Sequence, residues 1–411
     1  VIKIVTALIL AATAVHAQDW PEFRGPTAQG LSRESGLPVE WGPGKNVAWK
    51  QAIPGGGWSS PVISRGRIYL TSAIPVEGTK DFQLAALCLD AKTGNQLWKS
   101  DVFLQDAAAA PPIHKMNSHA SPTPIVDGDR LFVHFGHQGT ACLDLDGKVL
   151  WRFRSPKFDP EDGNGGSPIL VDRALVFNCD GKDLQFVLAL DRSTGDVLWK
   201  TERRSPAQQK FSYCTPLLIT VDGEKQIIDP GAGAVCAYDP KSGRELWRVG
   251  YGEGYSVVPR PVFGHGLLFI CTGFEKPGLL AIRPDGQGDV TATHVAWSVR
   301  KGVPLIASPL LVGDELYLIS DAGVASCLDA RTGKEQWQQR ICGKPWASPL
   351  FADGRIYFQD LQGLGVVVKA GRSYEPLARN SLEERTFSSY AVSDGAIFIR
   401  TEKQLYRIQA R

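Results

Sequence analysis

The chain has 411 residues, a formal net charge of +2 and 43% hydrophobic residues. That apolar content supports a packed core and excludes intrinsic disorder, and the balance of 45 basic against 43 acidic residues excludes a strongly electrostatic nucleic-acid binder. Eleven tryptophans beside a single methionine are the compositional oddity that needs a reason.

The first predicted element is an export signal over residues 1–17. Lys3 precedes an apolar run from Val5 to Val15, and Val15-His16-Ala17 fits a small-x-small cleavage site. The run is too short to span a bilayer, and no other segment approaches that length. No cysteine follows the cleavage point, so the expected product is a periplasmic or secreted monomer without a lipid anchor or transmembrane helix. Residues 18–45 read as an N-terminal lead-in, and residues 46–411 read as a repeat array.

The repeat is Asp-x-x-Thr/Ser-Gly-x-x-x-Trp. It occurs at Asp90 to Trp98, Asp191 to Trp199, Asp239 to Trp247 and Asp329 to Trp337. A copy one residue shorter runs from Asp144 to Trp151, a degenerate one ends at Trp297, and Trp49 ends the string Asn46-Val-Ala-Trp49. An eighth interval, near Tyr374, has no tryptophan. A Pro precedes each copy, usually as Ser-Pro, at Pro61, Pro122, Pro168, Pro216, Pro261, Pro309 and Pro349, a spacing of roughly 48 residues. Each unit reads as four short antiparallel strands. Pro opens the first without costing a ladder bond. The Asp and Gly of the repeat form a tight hairpin before the Trp-bearing fourth strand. Eight such units predict an all-β, eight-bladed β-propeller. Asn46 to Lys50 supplies a fourth strand without a blade, and Ser389 to Ile408 a blade without a fourth strand. Their pairing is expected to close the ring.

Cys88, Cys142 and Cys327 each stand two residues before an Asp, and Cys236 three before Asp239. One repeated slot places them in different blades, so they are expected to be buried fillers rather than disulfide partners.

The repeat, with Asp19-Trp-Pro-Glu-Phe-Arg-Gly-Pro26 ahead of it, resembles the pyrroloquinoline quinone (PQQ)-like propeller family over residues 19 to 411. It is similar to the secreted, BamB-like members common in planctomycete-type bacteria. The resemblance implies tryptophan docking between blades by Trp49, Trp98, Trp151, Trp199, Trp247, Trp297 and Trp337. It implies one of two roles. The first is a non-catalytic envelope scaffold that binds a protein or small ligand. The alternative is a quinoprotein-like oxidoreductase holding PQQ with calcium at the central mouth. Such dehydrogenases typically carry two adjacent cysteines, and this sequence has no Cys-Cys.

In that fold the residues before each innermost strand, joined by the loops between the second and third strands, surround the mouth. The expected ligand-binding residues are therefore Trp58, Asn117, His119, His137, Tyr213, Arg260 and Trp346. Trp58 or Trp346 would stack a planar ring, and Arg260 would grip a carboxylate through two parallel hydrogen bonds. His114, His119, His134 and His137 fall within 24 residues. His134 and His137, three apart on one strand, would face opposite ways, so structural histidines are expected rather than a metal site. No hydrolase or metalloprotease motif appears, and no catalytic residue is assigned.

Overall fold

The computed structural model describes residues 18–154 and 156–410; the predicted export signal, 1–17, lies outside the described residues. Eight antiparallel sheets form, each built from the unit read in the sequence. Blade 1 shows the pattern. Its strands are Val62–Ser64, Arg67–Pro75, Phe82–Asp90 and Gln96–Gln105, paired in that order from the centre outward. The innermost strands of blades 2 to 8 begin at Ile125, Ile169, Leu217, Val262, Leu310, Leu350 and Ala391. Blade 8 takes its outer strand, Val47–Ala52, from the other end of the chain, and this strand pairs with Gln404–Gln409. No open edge is then left between the termini.

The local chemistry explains the hairpins. The Asp90 carboxylate accepts the Lys92 and Thr93 amides and the Thr93 hydroxyl, at 2.7–3.0 Å. The same cradle recurs at Asp239 and Asp329. In all eight blades the ladder between the third and fourth strands slips by one residue beside the Trp position. This repeated bulge, invisible in the repeat string, sets the twist at which each outer strand leaves the hairpin.

Each docking tryptophan reaches the following blade. Trp98, Trp151, Trp199, Trp297 and Trp337 donate their indole N–H to Leu145, Arg192, Pro240, Ala330 and Gly371 carbonyls at 2.9–3.2 Å, and Trp49 reaches Ala91 at 3.3 Å. For Trp49, Trp98, Trp151, Trp199 and Trp297 the ring lies on the glycine of the next hairpin. A Cβ built on Gly195, whose φ is +80°, would stand 2.7 Å from the Trp151 ring, and one on Gly243 would stand 2.4 Å from Trp199. That glycine therefore answers two demands, a left-handed backbone and a flat seat for the indole.

Trp247 is the exception. The next blade carries the degenerate repeat, whose residues Gly288–Asp289 instead add a parallel strand to the Trp247 blade. The buried Trp247 indole donates to the Gln226 side-chain oxygen at 2.8 Å, and the Gln226 amide donates to Pro284 in the next blade at 3.1 Å. One side chain thus relays the missing bond.

Four details of the sequence reading need correction. The proline opening blade 2 is Pro124, because its strand starts at Ile125; Pro122 lies two residues too early. The position without a docking tryptophan is Ala378, which pairs with Val367, whereas Tyr374 packs on Trp337 at 5.4 Å between ring centres. Cys88, Cys142 and Cys327 do face the docking tryptophans Trp98, Trp151 and Trp337, but Cys236 pairs with Arg248 and faces the other side of its sheet. His137 lies in the 3-10 turn Gly136–Gln138, so alternation along a strand does not govern where it points.

The lead-in crosses the inner end of the ring before it becomes the outer strand of blade 8. Trp20 bridges Ile63 of blade 1, the Pro21 carbonyl accepts the Val126 amide of blade 2, Leu31 bridges Phe351 of blade 7, and Trp41 packs against Tyr357 and Tyr390. Its bulk, with Trp20 fully buried, floors the channel from below.

The double role of the hairpin glycine gives a direct comparison. Gly195→Ala and Gly354→Ala both place a side chain at positive φ, but nothing lies within 4 Å of the Gly354 position. Gly195→Ala is expected to cost about 2 kcal/mol more, from displacement of the Trp151 ring. Equal shifts of the two unfolding midpoints would show that the indole seat is unimportant.

Candidate functional site

Two rings of side chains define the mouth. The inner ring is the residue immediately before each innermost-strand proline, with Ser389 in blade 8. Its members are Ser60, Thr123, Ser167, Thr215, Arg260, Ser308, Ser348 and Ser389. Their backbone amides pass hydrogen bonds around the circle. Ser60 N–H donates to the Thr123 hydroxyl, Thr123 to Ser167, and Ser167 to Thr215, at 2.9–3.0 Å. Arg260 donates to Ser308, Ser308 to Ser348, Ser348 to Ser389, and Ser389 back to Ser60, at 2.9–3.1 Å. Seven of eight junctions close in this way. At the eighth, Arg260 has no hydroxyl to accept the Thr215 amide, and its Nε donates instead to the Pro216 carbonyl at 3.0 Å.

The outer ring stands two residues earlier: Trp58, Ser121, Gly165, Tyr213, Val258, Ile306, Trp346 and Phe387. These and the hydroxyl ring line a cavity of about 370 Å³, with Phe23 of the lead-in at its base. The wall is aromatic on one side. Trp58 stacks on Phe387 at 4.1 Å, and Trp346 meets Phe387 edge-on at 5.0 Å. Cations sit over two of these rings, Lys344 over Trp346 and Arg385 over Phe387. The opposite wall is polar, with Asn117, Asp162 and Tyr213.

The structure thus brings together Trp58, Asn117, Tyr213 and Trp346. Trp58 is held by its N–H to the Met116 carbonyl at 3.1 Å. Asn117 clamps two loops, donating to the Asp162 carbonyl at 2.8 Å and accepting from the Ser121 hydroxyl at 2.6 Å. Tyr213 donates to the Pro160 carbonyl at 2.7 Å and accepts the Asp162 amide at 3.0 Å; burial pushes its phenol well up. The remaining three stand elsewhere. His119 packs on Phe82 at 4.9 Å. His137 is held between Asn164 and Gln138 through both ring nitrogens. Burial holds both imidazoles neutral, His119 down to about 4.

Arg260 must be corrected. It is 1% exposed and lies beneath the cavity, with two nitrogens 3.1 Å from one oxygen of Glu22 and a third bond to the Phe23 carbonyl. It fastens the lead-in across the channel and is not free to grip a ligand carboxylate. The sequence reading also missed Phe387, Phe23, Met116 and Lys344, together with the purpose of the Ser-Pro pairs. Phe387 stands two residues before Ser389, in the same slot as Trp58 and Trp346.

Beside the mouth lies a buried ionic cluster. Arg203 sits between Asp180, at 3.3 Å, and Asp229, and all three are buried. Asn178 also donates to Asp229 at 2.8 Å. One guanidinium serves two carboxylates. Burial pushes Asp180 up to about 7; Arg203 opposes the shift and Asp229 adds to it. Among the described residues, no group of three or more His, Cys, Asp or Glu is placed to hold a metal ion.

The comparisons with known proteins agree on the fold. The family model described as outer membrane protein assembly factor BamB matches residues 86–339 and 286–397. The outer membrane protein assembly factor BamB of Burkholderia pseudomallei is 27% identical over 263 residues, 61% of this chain and 59% of that protein. The tetrathionate hydrolase of Acidithiobacillus ferrooxidans is 23% identical over 288 residues, 66% of this chain and 51% of that protein. The lanthanide-dependent methanol dehydrogenase of Methylorubrum extorquens is 30% identical over 155 residues, 33% of this chain and 24% of that protein. The chain thus spans about half or less of the length of these last two. The crystal structure of BamB from Moraxella catarrhalis superposes with a TM-score of 0.60 at 12% identity, over 88% of this chain and 99% of that one. No helix of the described residues is long and apolar enough to cross a membrane.

The cluster predicts a pH dependence. Asp180 is raised in the folded state, so between about pH 4 and 7 the folded chain holds a proton that the unfolded chain has released. Its contribution to stability is therefore complete below about pH 4 and falls as pH rises to about 7. The buried histidines have the opposite sign, so the informative quantity is a difference. Wild type should lose stability relative to Asp180→Asn between pH 5 and 7.5 in urea unfolding. Parallel pH profiles for the two proteins would refute a shared proton at Asp180.

Proposed function

The chain belongs to the family of outer membrane protein assembly factor BamB, and on that footing we propose that it is an exported, non-catalytic propeller. It acts as a binding scaffold in the cell envelope, engaging a protein segment or a small ligand with the mouth. The observation that carries this reading is the cavity itself. It is about 370 Å³, walled by Trp58, Phe387 and Trp346, and closed beneath by Phe23. A channel stopped by its own N-terminal segment is a socket, and a concavity with one aromatic wall and convergent polar groups suits a docked side chain or small molecule. The frame around it is fixed by inter-blade bonds, so loops on its rim can vary without disturbing the ring.

The similarity to a methanol dehydrogenase over 155 residues supports a second reading, a quinone-binding oxidoreductase. The lining does not fit a quinone held with calcium. Calcium takes about six to eight oxygen ligands. Asp162 is the one carboxylate on the cavity wall, and the Tyr213 hydroxyl stands 3.1 Å from its Oδ2. No step through such a group follows from these residues.

The two readings separate experimentally. A photo-crosslinking amino acid at Trp346 should give one reproducible adduct in intact envelopes, and the same probe at exposed Leu150 on the outer rim should not. Purified protein given PQQ and Ca²⁺ should show no dye-linked alcohol oxidation. Turnover in that assay, or equal labelling from both positions, would overturn the scaffold reading.

A further inference from the structure

The inner ring holds unused hydrogen-bond donors as well as closing the circle. Each ring hydroxyl already accepts a backbone N–H from the neighbouring blade. A hydroxyl has one proton to donate. Ser348 spends its proton on Ser308 at 3.0 Å. Among the described residues, the protons of Ser60, Thr123, Ser167, Thr215, Ser308 and Ser389 meet no protein acceptor, and all six residues line the base of the cavity. The oxygens are held toward the ring, so the unused donors are the groups left for the cavity.

The charge beneath them has the matching sign. Arg24 and Arg260, 2% and 1% exposed, are neighbours, and the one carboxylate paired with either of them is Glu22, which binds Arg260. Arg24 bonds only the Gln29 carbonyl, at 2.8 Å, and its Nε and Nη1 have no partner. Burial and the neighbouring Arg260 lower Arg24 to about 9, so it stays charged at neutral pH. The floor carries one surplus positive charge under a circle of free donors. A buried donor set without acceptors is costly until something supplies them.

We propose that the base of the mouth binds an organic oxyanion, a carboxylate or phosphate head, whose apolar body lies against Trp58 and Phe387. This rests on the mouth being the binding surface and names the chemistry it selects. The head accepts hydroxyl protons in the long-range field of the arginines, and the body fills the aromatic wall. No bond is made or broken.

The test compares phenylacetate, phenylacetamide, acetate and inorganic phosphate at constant ionic strength, read by quenching of intrinsic tryptophan fluorescence. Phenylacetate should bind at least ~10-fold tighter than the neutral amide and than either free anion. Thr215→Val should weaken phenylacetate several-fold and leave the amide unchanged, and Thr215→Ser should restore it. Glu22→Gln, which adds net positive charge to the floor, should tighten phenylacetate, so the idea remains falsifiable if Thr215→Val fails to fold. Equal binding of acid and amide would overturn the oxyanion inference while leaving the mouth a binding surface, which the crosslinking pattern judges separately. Acetate or phosphate binding as tightly as phenylacetate would overturn the part played by the aromatic wall.

Discussion

An open blade of four strands has two apolar faces and no way to bury them alone. The structure depends on how each blade is fastened to the next. At the rim, an indole lies on the neighbouring hairpin glycine and donates to a carbonyl beside it. At the hub, a backbone amide donates to the neighbouring serine or threonine hydroxyl. The two fasteners sit at opposite ends of each blade, so together they fix its tilt as well as its distance. The final fastening joins Trp49, near the N-terminus, to the hairpin after Asp90.

Both fasteners change at the same junction, between blades 4 and 5. At the rim, the degenerate repeat removes the glycine seat, and Gln226 carries the bond across to Pro284. At the hub, Arg260 replaces the hydroxyl and turns back to Pro216. The arginine then has capacity to spare, and it uses this to hold Glu22 and Phe23. The irregular junction is therefore where the lead-in is locked under the channel. That one substitution in the inner ring supplies one of the two buried arginines beneath the mouth and adds a tie to the lead-in.

Most of the architecture was legible because it repeats. A nine-residue string with fixed Asp, Gly and Trp can be read as a hairpin and a strand, and its multiplicity gives the blade number. Closure by Val47–Ala52 follows from a lone fourth strand at one end of the repeat array and three strands lacking a fourth at the other. The site was legible only in part. Trp58 and Trp346 stood out as tryptophans outside the repeat, and both line the cavity. Arg260 was misread because its partner, Glu22, is 238 residues away in a segment with no repeat register. Phe387 stands in the same slot, but a phenylalanine there carries no compositional signal of the kind that singles out a tryptophan outside the repeat. The hydroxyl ring was hidden for a different reason. Ser-Pro reads locally as a strand start, and the use of its oxygen appears only when neighbouring blades are placed side by side.

The direction of the ring hydroxyl protons links the fold to the chemistry of the mouth, and neutron diffraction from crystals exchanged into D₂O would observe it. Deuterons on Ser60, Thr123, Ser167, Thr215, Ser308 and Ser389 should point into the cavity, with the oxygen of each receiving the neighbouring blade's amide deuteron. Deuterons turned away from the cavity, or amides directed elsewhere, would contradict a socket lined by free donors.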